Sequence, residues 1–177
     1  MIGQRARVRS LFLVAVALAA WLATLPLRAE PPVEIVPSVG QFEVFDGGRA
    51  WEMGWEARFA PRRIPFLPRF LHDAIPVAGA MASSQGALYA YGGFRWNLPL
   101  GKRWVVTPNW AAGLYYAGKE DGKDLGGVVE FRSGVELAWR LNERSRIGLC
   151  LYHLSNGGLY DFNPGTESLI LSYDIRP

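Results

Sequence analysis

Beyond residue 30, hydrophobic and polar residues alternate along most of the chain. From Val129 to Leu141 one set of alternate positions reads Val129, Phe131, Ser133, Val135, Leu137, Trp139 and Leu141, while Glu130, Arg132, Glu136 and Arg140 stand between them. A period of two is the signature of a strand whose two faces meet different surroundings. The same contrast recurs three times. Trp51, Met53, Trp55, Ala57 and Phe59 oppose Glu52, Glu56 and Arg58. Phe94, Trp96 and Leu98 oppose Tyr89, Tyr91, Arg95 and Asn97. Trp104, Val106, Trp110, Leu114 and Tyr116 oppose Thr107, Asn109 and Tyr115.

The pattern predicts eight strands, at about residues 35–45, 49–60, 74–83, 86–98, 103–117, 127–142, 145–156 and 165–175. Strands of this length, greasy and aromatic on one face and charged on the other, fit an all-β fold. The form expected is an eight-stranded antiparallel transmembrane up-and-down β-barrel with a filled polar interior. A closed barrel satisfies every backbone donor within lipid. The rival is a soluble periplasmic β-sandwich or lipocalin-like barrel. An even strand number places both termini on the periplasmic side, with residues 118–127 and 157–164 among the outward loops. The stretch 61–73 is long for a periplasmic turn and receives no role, and its His72 reads as an ordinary exposed histidine.

Residues 1–29 follow a different pattern. Arg5, Arg7 and Arg9 precede an uncharged run from Leu11 to Leu25, which Leu27, Arg28 and Ala29 close. A basic start, an apolar centre and a small terminal residue describe a signal peptide. The run is shorter than the roughly 20 apolar residues of a membrane-spanning helix. The expected organisation is a signal peptide at 1–29 and one barrel domain at 30–177. This split also explains the charge. Four of the 19 basic residues and none of the 16 acidic ones lie in the leader, leaving 15 basic residues against 16 from residue 30 onward. Nothing remains to attract a nucleic acid. A single cysteine and two histidines leave no disulfide and no Cys- or His-rich metal centre.

The candidate chemistry lies at the end of the chain. His153 and Ser155 share a strand face with Ile147, Leu149 and Leu151, all apolar. On the next strand Glu167 shares parity with Leu169, Leu171, Tyr173 and Ile175. A hairpin pairing Glu167 with His153 would face Ser155 with Gly165 and bring an acid, a base and an alcohol together outside the barrel. Directly opposed residues have Cβ atoms roughly 4.5–5.5 Å apart. A carboxylate turned toward hydrocarbon is costly, less so near the interface. A relay supplies a reason: His153 takes the proton of Ser155, Glu167 orients the ring, and Ser155 attacks a carbonyl. The outward position selects an ester within a membrane lipid. The plainer reading of the three is as interfacial side chains at a barrel rim.

These residues resemble the lipid A 3-O-deacylase (PagL) family. The resemblance runs through Tyr91-Gly92-Gly93-Phe94-Arg95-Trp96, Gly113-Leu114-Tyr115-Tyr116, Asp124-Leu125-Gly126-Gly127 and Glu130-Phe131-Arg132-Ser133-Gly134. It is sharpest at His153-Leu154-Ser155-Asn156 followed by Asn163-Pro164-Gly165 and Glu167. It implies an outer-membrane serine esterase that hydrolyses the 3-O-linked acyl ester of lipid A and releases a 3-hydroxy fatty acid. Ser155 would be nucleophile, His153 general base and Glu167 its orienting acid. Asn163 and Asn156 would form the oxyanion environment, with Gly157 and Gly165 in support. Asn156 has inward parity, so backbone or loop support is the role expected of it.

No metal or organic cofactor is implied. The implied partners are lipopolysaccharide and the outer membrane; oligomeric state stays open, a homodimer included. The chain departs from outer-membrane barrels in general by ending Ile175-Arg176-Pro177, without a terminal aromatic residue. Trp51, Trp55, Trp96, Trp104, Trp110 and Trp139 are expected in interfacial girdles, and Arg95, Glu130, Arg132 and Glu136 in a fold-stabilising charge network. The alternatives are another lipid acyl hydrolase or acyltransferase using the same relay, or a non-catalytic structural or lipid-binding barrel.

Overall fold

The structure, a computed structural model, describes residues 34–47, 50–64, 68–118 and 122–175. The leader expected at 1–29 lies outside the described residues. Eight strands form the wall: β1 (Glu34–Phe42), β2 (Trp51–Arg58), β3 (Asp73–Ser83), β4 (Leu88–Arg95), β5 (Trp104–Tyr116), β6 (Val129–Arg140), β7 (Ser145–Ser155) and β8 (Thr166–Ile175). Each pairs antiparallel with its neighbours in sequence, and β1 also pairs with β8. The sheet therefore closes on itself, which removes both edges. Both described termini lie at one end, with the β2–β3, β4–β5 and β6–β7 connections; the other end carries the β1–β2, β3–β4, β5–β6 and β7–β8 connections.

The alternation in sequence becomes an inside and an outside. In β8, Ser168, Ile170, Ser172 and Asp174 are buried, while Leu169, Leu171, Tyr173 and Ile175 are exposed. In β7, Arg146, Cys150, Tyr152 and Leu154 are buried, and Ile147, Leu149 and Leu151 are exposed. Trp51, Trp55, Leu114 and Leu137 continue this apolar outer surface on other strands. A soluble barrel would put its polar side outward; this one is inverted, as a bilayer requires.

The interior is filled in two layers. Toward the loop end, Phe42, Tyr89, Leu125, Tyr152 and Leu154 form an apolar plug. Toward the terminal end lies an ionic network. Arg58 pairs with Glu56 at 2.8 Å and Glu34 at 3.4 Å, and it contacts Asp174 as well. Arg95 bridges Glu56 at 2.6 Å and Glu136 at 2.5 Å. Arg132 sits over the rings of Tyr152 and Tyr91, 4.1 and 4.8 Å from their centroids. Cations and anions alternate in space, so each charge taken from water has a partner. Glu130 departs from the expected network. It is fully buried, yet neither carboxyl oxygen has a hydrogen-bond partner. Its parity put it inside correctly, but it stands near the apolar plug, where Tyr89 bonds only its backbone oxygen, at 3.0 Å.

Two details differ from the expectation. The strand expected at 86–98 stops at Arg95, and Leu98–Leu100 pairs separately with β5. The described residues of the stretch 61–73 form an extension of the β2–β3 hairpin rather than a plain turn. Arg62 and Arg63 pair with Ala74 and Asp73, and Ile64 packs on Ala74, Phe94 and Trp96. The indole of Trp96 donates to Leu71 O at 2.9 Å, which draws Trp96 out of the girdle expected for it. His72 is half-buried and accepts the backbone N–H of Ile64 at 2.7 Å.

Candidate active site

Strands β7 and β8 pair in the register expected from their apolar positions. Glu167 faces His153, Leu169 faces Leu151, and Leu171 faces Leu149. His153 and Glu167 therefore share the outward face, where their side chains are 43% and 30% exposed. His153 Nδ1 lies 2.9 Å from Glu167 Oε1. With Nδ1 committed to the carboxylate, Nε2 is the nitrogen left for chemistry. Ser155 ends β7 two residues on, on the same face and partly exposed. Continuing the ladder one step beyond Thr166 and Leu154 sets Gly165 across from Ser155.

Gly165 is fitted to this place in two ways. Its φ of +66° is a left-handed conformation that favours glycine. A Cβ there would also stand 2.6 Å from Cε1 and 3.2 Å from Nε2 of His153. The backbone therefore closes against the imidazole edge that carries the free nitrogen.

The loop between the strands is built around Asn156, which is fully buried. Its Nδ2 donates to Leu125 O at 2.9 Å and Phe162 O at 2.8 Å, and its Oδ1 accepts Gly158 N–H at 2.9 Å. All of its side-chain donor capacity is thus used on backbone. Its own N–H donates to Asn163 Oδ1 at 3.1 Å, which orients the Asn163 amide and leaves the Nδ2 of Asn163 for another partner. Gly157, at φ +62°, begins the turn beside the Phe131 ring.

A second brace crosses the mouth. Lys123 Nζ pairs with Asp46 Oδ2 at 2.9 Å, and Thr166 Oγ1 donates to the same oxygen at 3.3 Å. The hydrogen bond from Lys123 holds the Asp46 carboxyl below its usual range. Thr166 immediately precedes Glu167, so the acid's strand is tied to both loops.

Sequence reasoning paired His153 with Glu167, put Ser155 on the same face and expected loop support from Asn156, but missed the brace of Lys123 and Asp46. The inward parity of Asn156 is the signal for its support role, and its partners Leu125, Phe162 and Gly158 are what the structure adds. For Lys123 and Asp46, 77 residues apart, the sequence holds no signal. Trp110, expected in a girdle, instead stacks on Phe131 at 6.0 Å. Its strand position pairs with Ser133, which pairs with His153, so it belongs to the wall beside the trio.

Comparison with known proteins adds to this geometry. A family described as "Lipid A 3-O-deacylase (PagL)" matches residues 75–176. A curated relative, "Lipid A deacylase PagL" of Bordetella bronchiseptica, is 29% identical over 83 residues, 47% of this chain and 46% of the relative. The chain thus spans about half the length of the curated relative it matches. The crystal structure of the outer membrane enzyme PagL superposes with a TM-score of 0.58 at 17% identity, covering 81% of this chain and 99% of that one.

Proposed function

The chain belongs to the lipid A 3-O-deacylase family, and from that premise we propose that it is an outer-membrane serine esterase acting on the 3-O-linked acyl ester of lipid A. The observation that carries this is the 2.9 Å pair of His153 and Glu167 on the outward face, next to Ser155. A His–Glu pair and an alcohol on a largely apolar wall serve no packing need. They sit where a membrane lipid arrives sideways, without entering a lumen that is filled.

Neutral His153 accepts the Ser155 proton at Nε2 as Oγ attacks the ester carbonyl. Glu167 accepts the Nδ1–H bond, fixes the tautomer and stabilises the imidazolium. The Nδ2 of Asn163 is the donor for the developing oxyanion; such a donor contributes about 100- to 1,000-fold in rate. Asn156 is a positioning residue, because it holds Asn163 through its backbone and the loop through its side chain. The tetrahedral adduct collapses as His153 returns the proton to the sugar 3-oxygen, leaving an acyl-Ser155 ester. Water activated by His153 then releases the 3-hydroxy fatty acid and regenerates Ser155.

The test is to incubate the refolded barrel with purified lipid A in mixed micelles containing phospholipid and to identify the products by mass spectrometry. Loss of one 3-hydroxyacyl chain with the free acid appearing is the expected result. The chain appearing on phospholipid would make the protein an acyltransferase. Unchanged lipid A with a correctly folded barrel would leave a binding protein.

A further inference from the structure

The outward pair of His153 and Glu167 stands one step from the end of the β7–β8 ladder, beside its last pair, Leu154 with Thr166. The end of a ladder opens at little cost in free energy. A relay placed there needs its strands held by something besides the ladder. The pairs on either side of it face inward, and both are braced from the lumen. On the loop side Leu154 is sealed in the apolar plug, and Thr166 Oγ1 donates to Asp46 Oδ2 at 3.3 Å. On the other side Tyr152 pairs with Ser168, and these are the chain neighbours of His153 and Glu167.

Tyr152 and Ser168 share one acceptor. The Tyr152 hydroxyl donates to the Glu52 carboxylate, 2.6 Å from each of its oxygens, and Ser168 Oγ donates to Glu52 Oε2 at 2.9 Å. All three residues are buried. Glu52 stands on β2, which β1 separates from β8, so this brace is independent of the β7–β8 hydrogen bonds. The β1 residue paired with Glu52 is Gly40, which has no side chain to meet it. Glu56, Glu136 and Asp174 are each met by arginines. Glu52 is held by the two hydroxyls instead. Hydrogen bonds to an ionised acceptor are about twice as strong as neutral ones, and a buried carboxylate that loses a donor is left unsatisfied. The Arg132 guanidinium lies 4.1 Å from the centroid of the Tyr152 ring and helps to fix it.

We propose that Glu52 is a positioning residue for the outer-wall relay. By drawing the Tyr152 and Ser168 hydroxyls to one carboxylate, it clamps β7 to β8 from within. The clamp fixes the separation at which His153 Nδ1 meets Glu167 Oε1 at 2.9 Å. A carboxylate needed only to balance lumenal charge would stand among the arginines, as Glu56 and Glu136 do. Glu52 joins the two strands that carry the relay, at the step next to it. The inference rests on the relay proposed above and adds the lumenal group that holds it in register.

The test uses Glu52→Gln, Tyr152→Phe, Ser168→Ala and the Tyr152→Phe/Ser168→Ala double variant, refolded in detergent micelles. Heat-modifiable gel migration measures the folded fraction. Glu136→Gln serves as the control, because it weakens the lumenal network without touching the clamp. On lipid A, each single clamp variant should lose about tenfold in kcat with KM within about twofold, since a displacement below 1 Å costs less than the roughly 100-fold of a full ångström. The double variant should fall no more than about threefold below either single one, because one broken arm already releases the clamp. The folded fraction of Glu136→Gln should keep the wild-type kcat. The proton on His153 Nδ1, followed by NMR, reports the same geometry without turnover: its downfield resonance should move upfield in the clamp variants and stay in place in Glu136→Gln. Wild-type kcat in Glu52→Gln, losses that multiply in the double variant, an equal loss in Glu136→Gln or an unmoved Nδ1 proton overturns the inference. A wild type that cleaves no lipid A, while the Nδ1 proton responds as stated, counts against the esterase and supports the clamp.

Discussion

Two polar regions of this barrel obey opposite rules. In the lumen, Arg58, Glu56, Arg95 and Glu136 are all nearly removed from solvent, and each meets at least two partners of opposite charge. On the outer wall, His153 and Glu167 are substantially exposed, and their polar contact is with one another. The lumenal charges replace water for each other and fill a space too small for a pore. The wall pair fills nothing; Ser133 faces His153 on β6, and the next outward pair along β7 and β8, Leu151 and Leu169, is apolar. Polar groups that support a fold are densely connected; these are sparse and accessible, which suits groups that must meet a substrate.

The comparison is broken most sharply by removing the nucleophile. Ser155→Ala is expected to lower deacylation by about 1,000-fold or more, with the thermal transition of the barrel unchanged. Activity surviving that substitution would remove Ser155 from the chemistry. Glu167→Ala should be severe but less complete, about 100-fold in kcat, because His153 keeps its place on the strand while losing its orienting partner. Gly165→Ala tests positioning: the new methyl presses on the imidazole and the left-handed backbone is strained, and a displacement of about 1 Å costs roughly 100-fold. The effect should fall on kcat with KM nearly unchanged; an unaltered kcat would show that the ring has room to spare.

The lumenal side of the comparison should respond in stability instead. Glu136→Gln leaves Arg95 with one fewer carboxylate and is expected to cost about 3 kcal/mol in urea unfolding from vesicles. The activity of the folded fraction should stay as in wild type. Glu130→Gln should have the smallest effect, within about 1 kcal/mol and in the stabilising direction, because this carboxyl has no partner to lose. A large loss from Glu130→Gln would mean that Glu130 belongs to the network after all.

Much of the fold was legible in sequence because the wall has two environments and a period of two reports which side each residue faces. The register of β7 and β8 was legible too: a one-residue slip would turn Leu149, Leu151, Leu169 and Leu171 inward, and the hydrophobic pattern forbids it. That register alone places His153 opposite Glu167. Parity names a face but not a partner, which is why Glu130 was grouped with Glu136 although one stands near the apolar plug and the other among arginines. The break after Arg95 was hidden because Trp96 is drawn to Leu71 O, a contact spanning 25 residues. Parity gives Asn156 its support role, but its partners, and the pairing of Lys123 with Asp46, depend on loops whose shape no periodicity encodes.

The most direct test of chemistry on the outer wall is to trap it. A long-chain fluorophosphonate reacts with a serine only where a base activates it, and fragmentation of the labelled protein locates the adduct. The expected result is one phosphonyl group on Ser155, absent from His153→Ala. An adduct on any other residue, or labelling of Ser155 that persists in His153→Ala, would contradict a relay running from Glu167 through His153 to Ser155.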